Sequence, residues 1–409
     1  MTGCARGYVP GGGEAWRRPW ASYAWLRDED PVHHVVPPKR PEDDFFVLSR
    51  YDDVLAAALD ATTFSSARGL TTSYDDLARL GLDASPPMVM TDPPAHTAFR
   101  RLVARGFTPR QVGEIEPVVR SFVRERVARL AASGGGDVVA ELFKPLPGLV
   151  VAHYLGVPES DRDRFDRWSS AIVAANAAGG AEAAVLGAAA AVGELMGYFA
   201  ELVDRRRTEQ ARGVMAEDTV SHLVAAASAD EGPDLLAVLG FVFTMITGGN
   251  DTTTGLLGEA VQLLALHPEQ REDLADDPAL IPQAVEELLR LSSPVQGLAR
   301  TTTRGVELHG MRIPEGRRVL LLYAAANRDW RAFGADAEQL DIRRRPTRIL
   351  AFGQGHHHCL GSAAARLQAR VALEELLAVI PDFAVDVDGV TWAPGAYVRR
   401  PLSVPLRVL

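Results

Sequence analysis

One run constrains this chain more than any other: residues 234–267, a largely apolar stretch with helical spacing, closed by Pro268. About 33 residues at 1.5 Å each give a helix on the order of 50 Å long, well beyond the average of a globular domain. A helix that apolar must be surrounded by others, so the spacing predicts a large helical body with this segment crossing its centre. The remaining pattern agrees. Helical periodicity fits 50–60, 93–105, 114–132, 141–155, 160–175, 182–209, 216–227, 282–291 and 362–380. Thr91-Asp92 reads as a cap ahead of Pro93-Pro94, and Pro381 as a stop. Strand signals are confined to 45–48, 306–308, 311–313, 319–323 and 398–408, and no repeat or composition break marks a boundary. The expected architecture is mainly α with minor β-sheets. A flexible leader over 1–20 precedes a single domain over 21–409, with a long irregular loop at 65–90.

Composition removes several function classes. With 53 acidic against 43 basic residues the net charge is −10, which argues against wholesale nucleic-acid binding. Two cysteines, Cys4 and Cys359, cannot make a disulfide framework and fit a reducing interior. The leader lacks an apolar run of signal-peptide length, and no segment holds roughly eighteen uncharged apolar residues. The expectation is a cytoplasmic protein without a membrane anchor.

Chemistry concentrates at 352–361, Phe-Gly-Gln-Gly-His-His-His-Cys-Leu-Gly, just ahead of the 362–380 helix. Unpaired N–H groups and the positive end of that helix favour a thiolate at Cys359. Gly353, Gly355 and Gly361, with Ala363 and Ala364, leave little bulk around the sulfur, so a large flat object could approach the backbone. Three readings compete: an inert cysteine in a Gly-rich loop, a zinc site built on the His-Cys run, and thiolate ligation of haem. Zinc fits poorly, because adjacent residues do not converge on one tetrahedral ion and no second ligand pair has zinc spacing. Haem needs a slot, a propionate clamp and an oxygen-handling site.

Those parts can be named. His96 and Arg100 share a helix face at i, i+4, and with Arg300 and His357 they offer four donors for two carboxylates. The long helix carries Gly248-Gly249-Asn250-Asp251-Thr252, and two mid-helix glycines cost about 1 kcal/mol each against alanine. Either they allow close helix packing, or Gly249 makes room for dioxygen and substrate. In the second case a local distortion frees a carbonyl, Thr252 hydrogen-bonds the oxygen, and Asp251 relays protons. Glu287 and Arg290, one turn apart, read as a structural ion pair that is costly to break if buried.

These ordered motifs resemble the cytochrome P-450 family: the His96/Arg100 helix, Asp251-Thr252, Glu287/Arg290, and Phe352 to Gly361. The resemblance runs from about residue 20 to the end. The C-terminal half, with Leu298 to Arg304 and Tyr397 to Pro401, resembles the mycobacterial subfamily numbered one hundred and thirty. Departures are Gly248 where the family's helix motif usually starts with Ala, Gln339 at the expected third partner of Glu287/Arg290, and Trp330 in place of a common proline. The resemblance implies a single-domain fold with haem b (iron protoporphyrin IX) between the long central helix and the cysteine-ligand loop. Cys359 would be the metal ligand, with Phe352, Gly353 and Gly361 around it and His96, Arg100, Arg300 and His357 on the propionates. It implies a monooxygenase using dioxygen, with Asp251 and Thr252 catalytic.

A peroxygenase using hydrogen peroxide is the rival enzyme reading. A haem-binding helper or sensor is the non-enzymatic one, and it predicts loss of Cys359 or of the acid–alcohol pair. With no appended reductase module, electrons would come from a ferredoxin and ferredoxin reductase, steered by Arg101, Arg105, Arg110, Arg366 and Arg370. By family analogy Met88, Val89, Met245, Ile246, Gly249, Val295, Leu298 and Tyr397 line the pocket. They suit a medium-sized hydrophobic small-molecule substrate of the kind met in secondary metabolism.

Overall fold

The computed structural model describes residues 7–8, 11–74, 85–177, 182–227 and 233–409, the side chains of 105, 109, 173–177 and 182–188 excepted. Most of these residues are helical, and the chain divides into two compact units, each assembled from segments far apart in sequence.

The first unit comprises Met1–Thr97, Pro282–Cys359 and Ala396–Arg399. Its frame is a five-stranded sheet in the order Val32–Val35, Phe45–Leu48, Arg318–Leu321, Leu298–Thr302, Phe64–Ser65. Only the pairing of Phe45–Leu48 with Arg318–Leu321 is parallel. Both of those strands are buried along their whole length, as a continuous Phe/Val/Leu run requires. One face packs against the Tyr51–Leu59 helix through Val54, Ala57 and Ala58; the other packs on Tyr23 and Leu26 of the Trp20–Glu29 helix.

The leader expected over 1–20 is not free where it is described. Residues Gly13–Arg17 form a 3-10 turn, Trp16 is 1% exposed, and its carbonyl accepts from Arg399 Nε at 2.7 Å. The large apolar indole outweighs the entropy of its Gly-rich surroundings. Residues 1–6, with Cys4, lie outside the described residues, as do 75–84 of the loop expected over 65–90.

The second unit comprises Ala98–Ile281, Leu360–Gly395 and Arg400–Leu409 and is mainly helical. Its longest element is the Leu235–Leu266 helix, within a residue of the expected boundaries, with Asp234 accepting the Ala237 N–H at 2.7 Å as its cap. By length and composition alone this helix could cross a membrane, although Asp251 and Glu259 interrupt it, so no run of roughly eighteen uncharged apolar residues occurs in it. Sixteen of its residues between Val238 and Leu264 are buried in the protein, polar Asn250, Glu259 and Gln262 among them. Arg120 joins the Glu116–Ala132 and Ser362–Val379 helices through Glu116, Glu374 and Glu375, each at 2.6 Å.

Candidate active site

The cysteine loop belongs to the first unit and is shaped by its backbone. Gly353 and Gly355 sit at φ +63° and +72°, the left-handed region that glycine enters without penalty. A Cβ on Gly355 would stand 2.7 Å from the carbonyl oxygen of Ala58, so any side chain there collides with main chain. The Cys359 N–H donates to Phe352 O at 2.8 Å, closing the loop on itself. Asn327 Oδ1 accepts from Leu350 N–H at 2.8 Å where the chain enters the loop.

Asn327 leads to the ion pair. Arg290, fully buried, donates through Nη1 to the carbonyls of Asn327 and Ala337, both at 2.7 Å, and clamps Glu287 with two further bonds of 2.7 Å. Gln339 contributes only a carbonyl, 3.5 Å from Arg290 Nη2. The third charged partner is Arg344, whose Nε lies 3.1 Å from Glu287 Oε1. The expected departure at position 339 is thus made good five residues later, on a loop whose register sequence reasoning could not supply.

The donors expected for carboxylates fall partly together. His96 is 1% exposed and its ring lies 4.2 Å, centroid to centroid, from that of His357; both are in the first unit. Arg300 is 4% exposed, and among the described residues its one hydrogen bond runs from Nη1 to Ala299 O. A buried guanidinium with no carboxylate among the described residues is a site short of an anion. Arg100 is half-buried on the Ala95–Val103 helix that carries His96. That helix starts later than expected, because Asp92 does not cap it: its carboxylate accepts from the Ser65 hydroxyl and from Ser66 N–H (2.9 Å). Within the first unit, His96, His357 and Arg300 together with the half-buried Cys359 are a donor set that fits a haem with propionates. Among the described residues no three His, Cys, Asp or Glu side chains are grouped to hold a metal ion, which leaves the zinc reading without ligands.

In the second unit, the acid–alcohol pair lies on an unbroken stretch of the long helix. The expected distortion at 248–252 is absent: Thr252 Oγ1 donates back to Gly248 O at 2.7 Å, so that carbonyl is already used. Gly249 is also reassigned. A Cβ there would come within 2.8 Å of Val151 Cγ2 on the Pro145–Tyr154 helix, so it serves close helix packing. Gly248 has open space at that position. Helical spacing explains the difference. Met245, Gly248 and Thr252 share the less buried face, while Ile246, fully buried, points with Asn250 and Thr253 into the protein.

Asp251 is 14% exposed, and its Oδ1 meets Arg400 Nε at 3.0 Å. Burial pushes its carboxyl up to about 6, against the opposing pull of Arg400 and then Lys144. Neither cation was singled out from the sequence, although Lys144 is one of only two lysines.

Of the remaining pocket candidates, Met88, Val89, Val295, Leu298 and Tyr397 are half-buried in the first unit. Val295 and Leu298 pack against its core, and the Tyr397 hydroxyl lies within hydrogen-bond reach of Thr72 N–H (2.9 Å) and Oγ1 (3.1 Å).

The profile of the family described as Cytochrome P-450 matches residues 187–388. Cytochrome P-450 130 of Mycobacterium tuberculosis is 61% identical over 397 residues, 97% of this chain and 96% of that protein. Vitamin D(3) 25-hydroxylase of Pseudonocardia autotrophica is 36% identical over 401 residues, 96% and 94% of the two chains. Among solved structures, the bacillaene polyketide synthase cytochrome P-450 PksS of Bacillus subtilis superposes with a TM-score of 0.86 at 28% identity, over 98% of this chain and 99% of that one. A Mycobacterium marinum cytochrome P-450 in complex with pseudoionone gives 0.84 at 31% identity, over 96% of each.

This chain belongs to the cytochrome P-450 family, the haem-thiolate oxygenases. It is a bacterial-type monooxygenase, and the expected mainly α fold with small sheets and the mycobacterial likeness both hold.

Proposed function

We propose that this enzyme inserts one atom of dioxygen into a medium-sized hydrophobic substrate, as a hydroxylation or related oxidation in bacterial secondary metabolism. The buried Asp251, next in sequence to Thr252 and balanced between burial and two cations, carries this reading. A carboxyl titrating about 6 is mostly ionised at neutral pH yet readily takes and returns a proton, as a general acid used in every turnover must. Thr252 presents a hydroxyl one residue on, oriented by Gly248 O.

Cys359 would hold haem b through its sulfur, flanked by Phe352, Gly353 and Gly361. His96, Arg100, Arg300 and His357 would take its propionates. When bound, that group supplies the activation of dioxygen. Met245, Gly248 and Thr252 then present a small, mostly apolar face to the substrate, and this support differs from the family analogy by exchanging Gly249 and Ile246 for Gly248. We place the whole of 21–409 in one functional domain and the enzyme in the cytoplasm.

Electrons would come from a separate ferredoxin and its reductase. The basic surface proposed to receive it is smaller than the sequence implied. Arg370 is held by Glu116 and Glu374, Arg110 lies near Glu114 (3.7 Å), and the side chain of Arg105 is outside the described residues. Arg101, exposed on the Ala95–Val103 helix, and Arg366, close to Cys359 in sequence, are the steering charges put to the test. Charge reversal at both should slow electron transfer and flatten its salt dependence; an unchanged rate removes them from the interface.

The reaction itself is tested with labelled dioxygen. Product carrying one labelled oxygen atom, formed only with ferredoxin and reductase, is the expected result. Product formed with hydrogen peroxide alone would install the peroxygenase instead. In Thr252→Ala, reductant should be consumed with less product formed. In Cys359→Ser, the strongly red-shifted Soret band of the reduced, carbon-monoxide-bound protein should vanish.

A further inference from the structure

Behind Asp251 the second unit holds a cavity of about 150 Å³, lined by Lys144, Gly148, Asp166, Ser169, Asn250 and Asp251 among others. It has room for several waters and polar groups to hold them. The Ser169 hydroxyl is buried there without a protein partner among the described residues, which is the situation an ordered water relieves. Asn250 donates its Nδ2 to Ile246 O at 2.9 Å.

Gly148 keeps the passage open. A Cβ on it would sit 3.0 Å from Asp166 Oδ1 and 3.7 Å from Asn250 Oδ1, so oxygens from two helices approach one spot that only glycine leaves clear. About one or two waters span such a gap. Asp166 is solvent-exposed, and Ser169 follows one turn later on the same helix, deeper in the wall.

We propose that this cavity is the proton entry of the enzyme: Asp166 takes protons from bulk solvent and passes them to Asp251 through cavity water, which Ser169 Oγ and Asn250 Oδ1 hold in place. The inference rests on the reading of Asp251 as the acid of the reaction. No charge accumulates, because each proton leaving the Asp251 carboxyl is replaced by one from Asp166, which is refilled from solvent.

The charged surroundings suit this direction of travel. Loss of hydration raises the Asp166 carboxyl, as does Asp163, against Arg162 on its own helix and Arg126 of the Glu116–Ala132 helix. Asp251 is raised by burial, against Arg400 and Lys144. Both carboxyls are therefore raised, the direction that favours holding a proton at each end of the cavity.

The test follows Asp251 itself, in the haem-loaded protein. The infrared carboxyl band that disappears in Asp251→Asn identifies it, and a light-released proton pulse starts the clock. Asp166→Asn should slow the rise of that band about ten-fold or more. Gly148→Ala should slow it as well, while Glu159→Gln, an exposed acid nearby in sequence, should leave it as in the parent. An unchanged rise in Asp166→Asn overturns the proposal. Product yield per electron in Asp251→Asn separates the two layers: if it equals the parent's, the acid role of Asp251 falls and the catalytic use of the cavity with it. If it drops while Asp166→Asn leaves the band unaffected, only the entry path is wrong.

Discussion

The cysteine loop and the Asp251 region solve opposite problems. Around Cys359, position comes from backbone: two left-handed glycines, the closure from Cys359 N–H to Phe352 O, and a fully buried Glu287–Arg290 pair, joined by the partly exposed Arg344, with Arg290 also held by the Asn327 and Ala337 carbonyls. Around Asp251, position is looser and charge matters more: one ion pair, one hydroxyl and a partly polar cavity. The contrast teaches where each kind of sensitivity should lie. The first region should respond to changes of shape and little to pH. The second should respond to pH and tolerate modest changes of shape.

The largest effect is expected from Glu287→Gln. It strands the buried Arg290 guanidinium and should lower the unfolding free energy, measured in urea, by about 3–5 kcal/mol. Next comes the pH dependence of Asp251. Its carboxyl titrates about 6 folded against 3.8 unfolded, so between those values the folded state binds more protons and stability falls as pH rises. The unfolding free energy of the parent minus that of Asp251→Asn should therefore drop by about 2–3 kcal/mol from about pH 4 to about pH 7, the other carboxylates cancelling. A flat difference would show that the Arg400 pair, not burial, sets this carboxyl.

Gly355→Ala comes third. Its left-handed backbone and the approach of Ala58 O should cost about 1–3 kcal/mol, independent of pH. If that loss instead varied with pH, the comparison between the regions would fail. The smallest effect belongs to Gln339→Ala. Only the main chain of that residue is used, so the change should stay within about 0.5 kcal/mol, against a larger loss for Arg344→Ala.

Much of both regions could be read before any fold was known, for one physical reason: the informative residues are close in sequence. The 352–361 loop is contiguous, His96 and Arg100 are one turn apart, and Leu235–Leu266 announces itself by period and length. Glu287 and Arg290 belong to the same class. Strands at Val306–Leu308, Met311–Ile313 and Phe45–Leu48 were equally legible, being short alternating or continuous apolar runs beside turns.

Partners brought from a distance were not legible. Arg344 completing Glu287, Arg400 facing Asp251, Lys144 tuning it, and Trp16 anchored by Arg399 all depend on loops and termini whose paths no local periodicity encodes. Packing also decided between residues one position apart. On a helix, 100° per residue separates Gly248, with open space, from Gly249, pressed against Val151, and only the neighbouring helix shows which is which. The sequence by itself determined the helical class, the cysteine ligand candidate and the acid–alcohol pair, because each is written within a few turns of chain. Tertiary structure alone decided which glycine is open, which cations face Asp251 and which cavity it lines, since burial and long-range charge exist only once the chain has closed on itself.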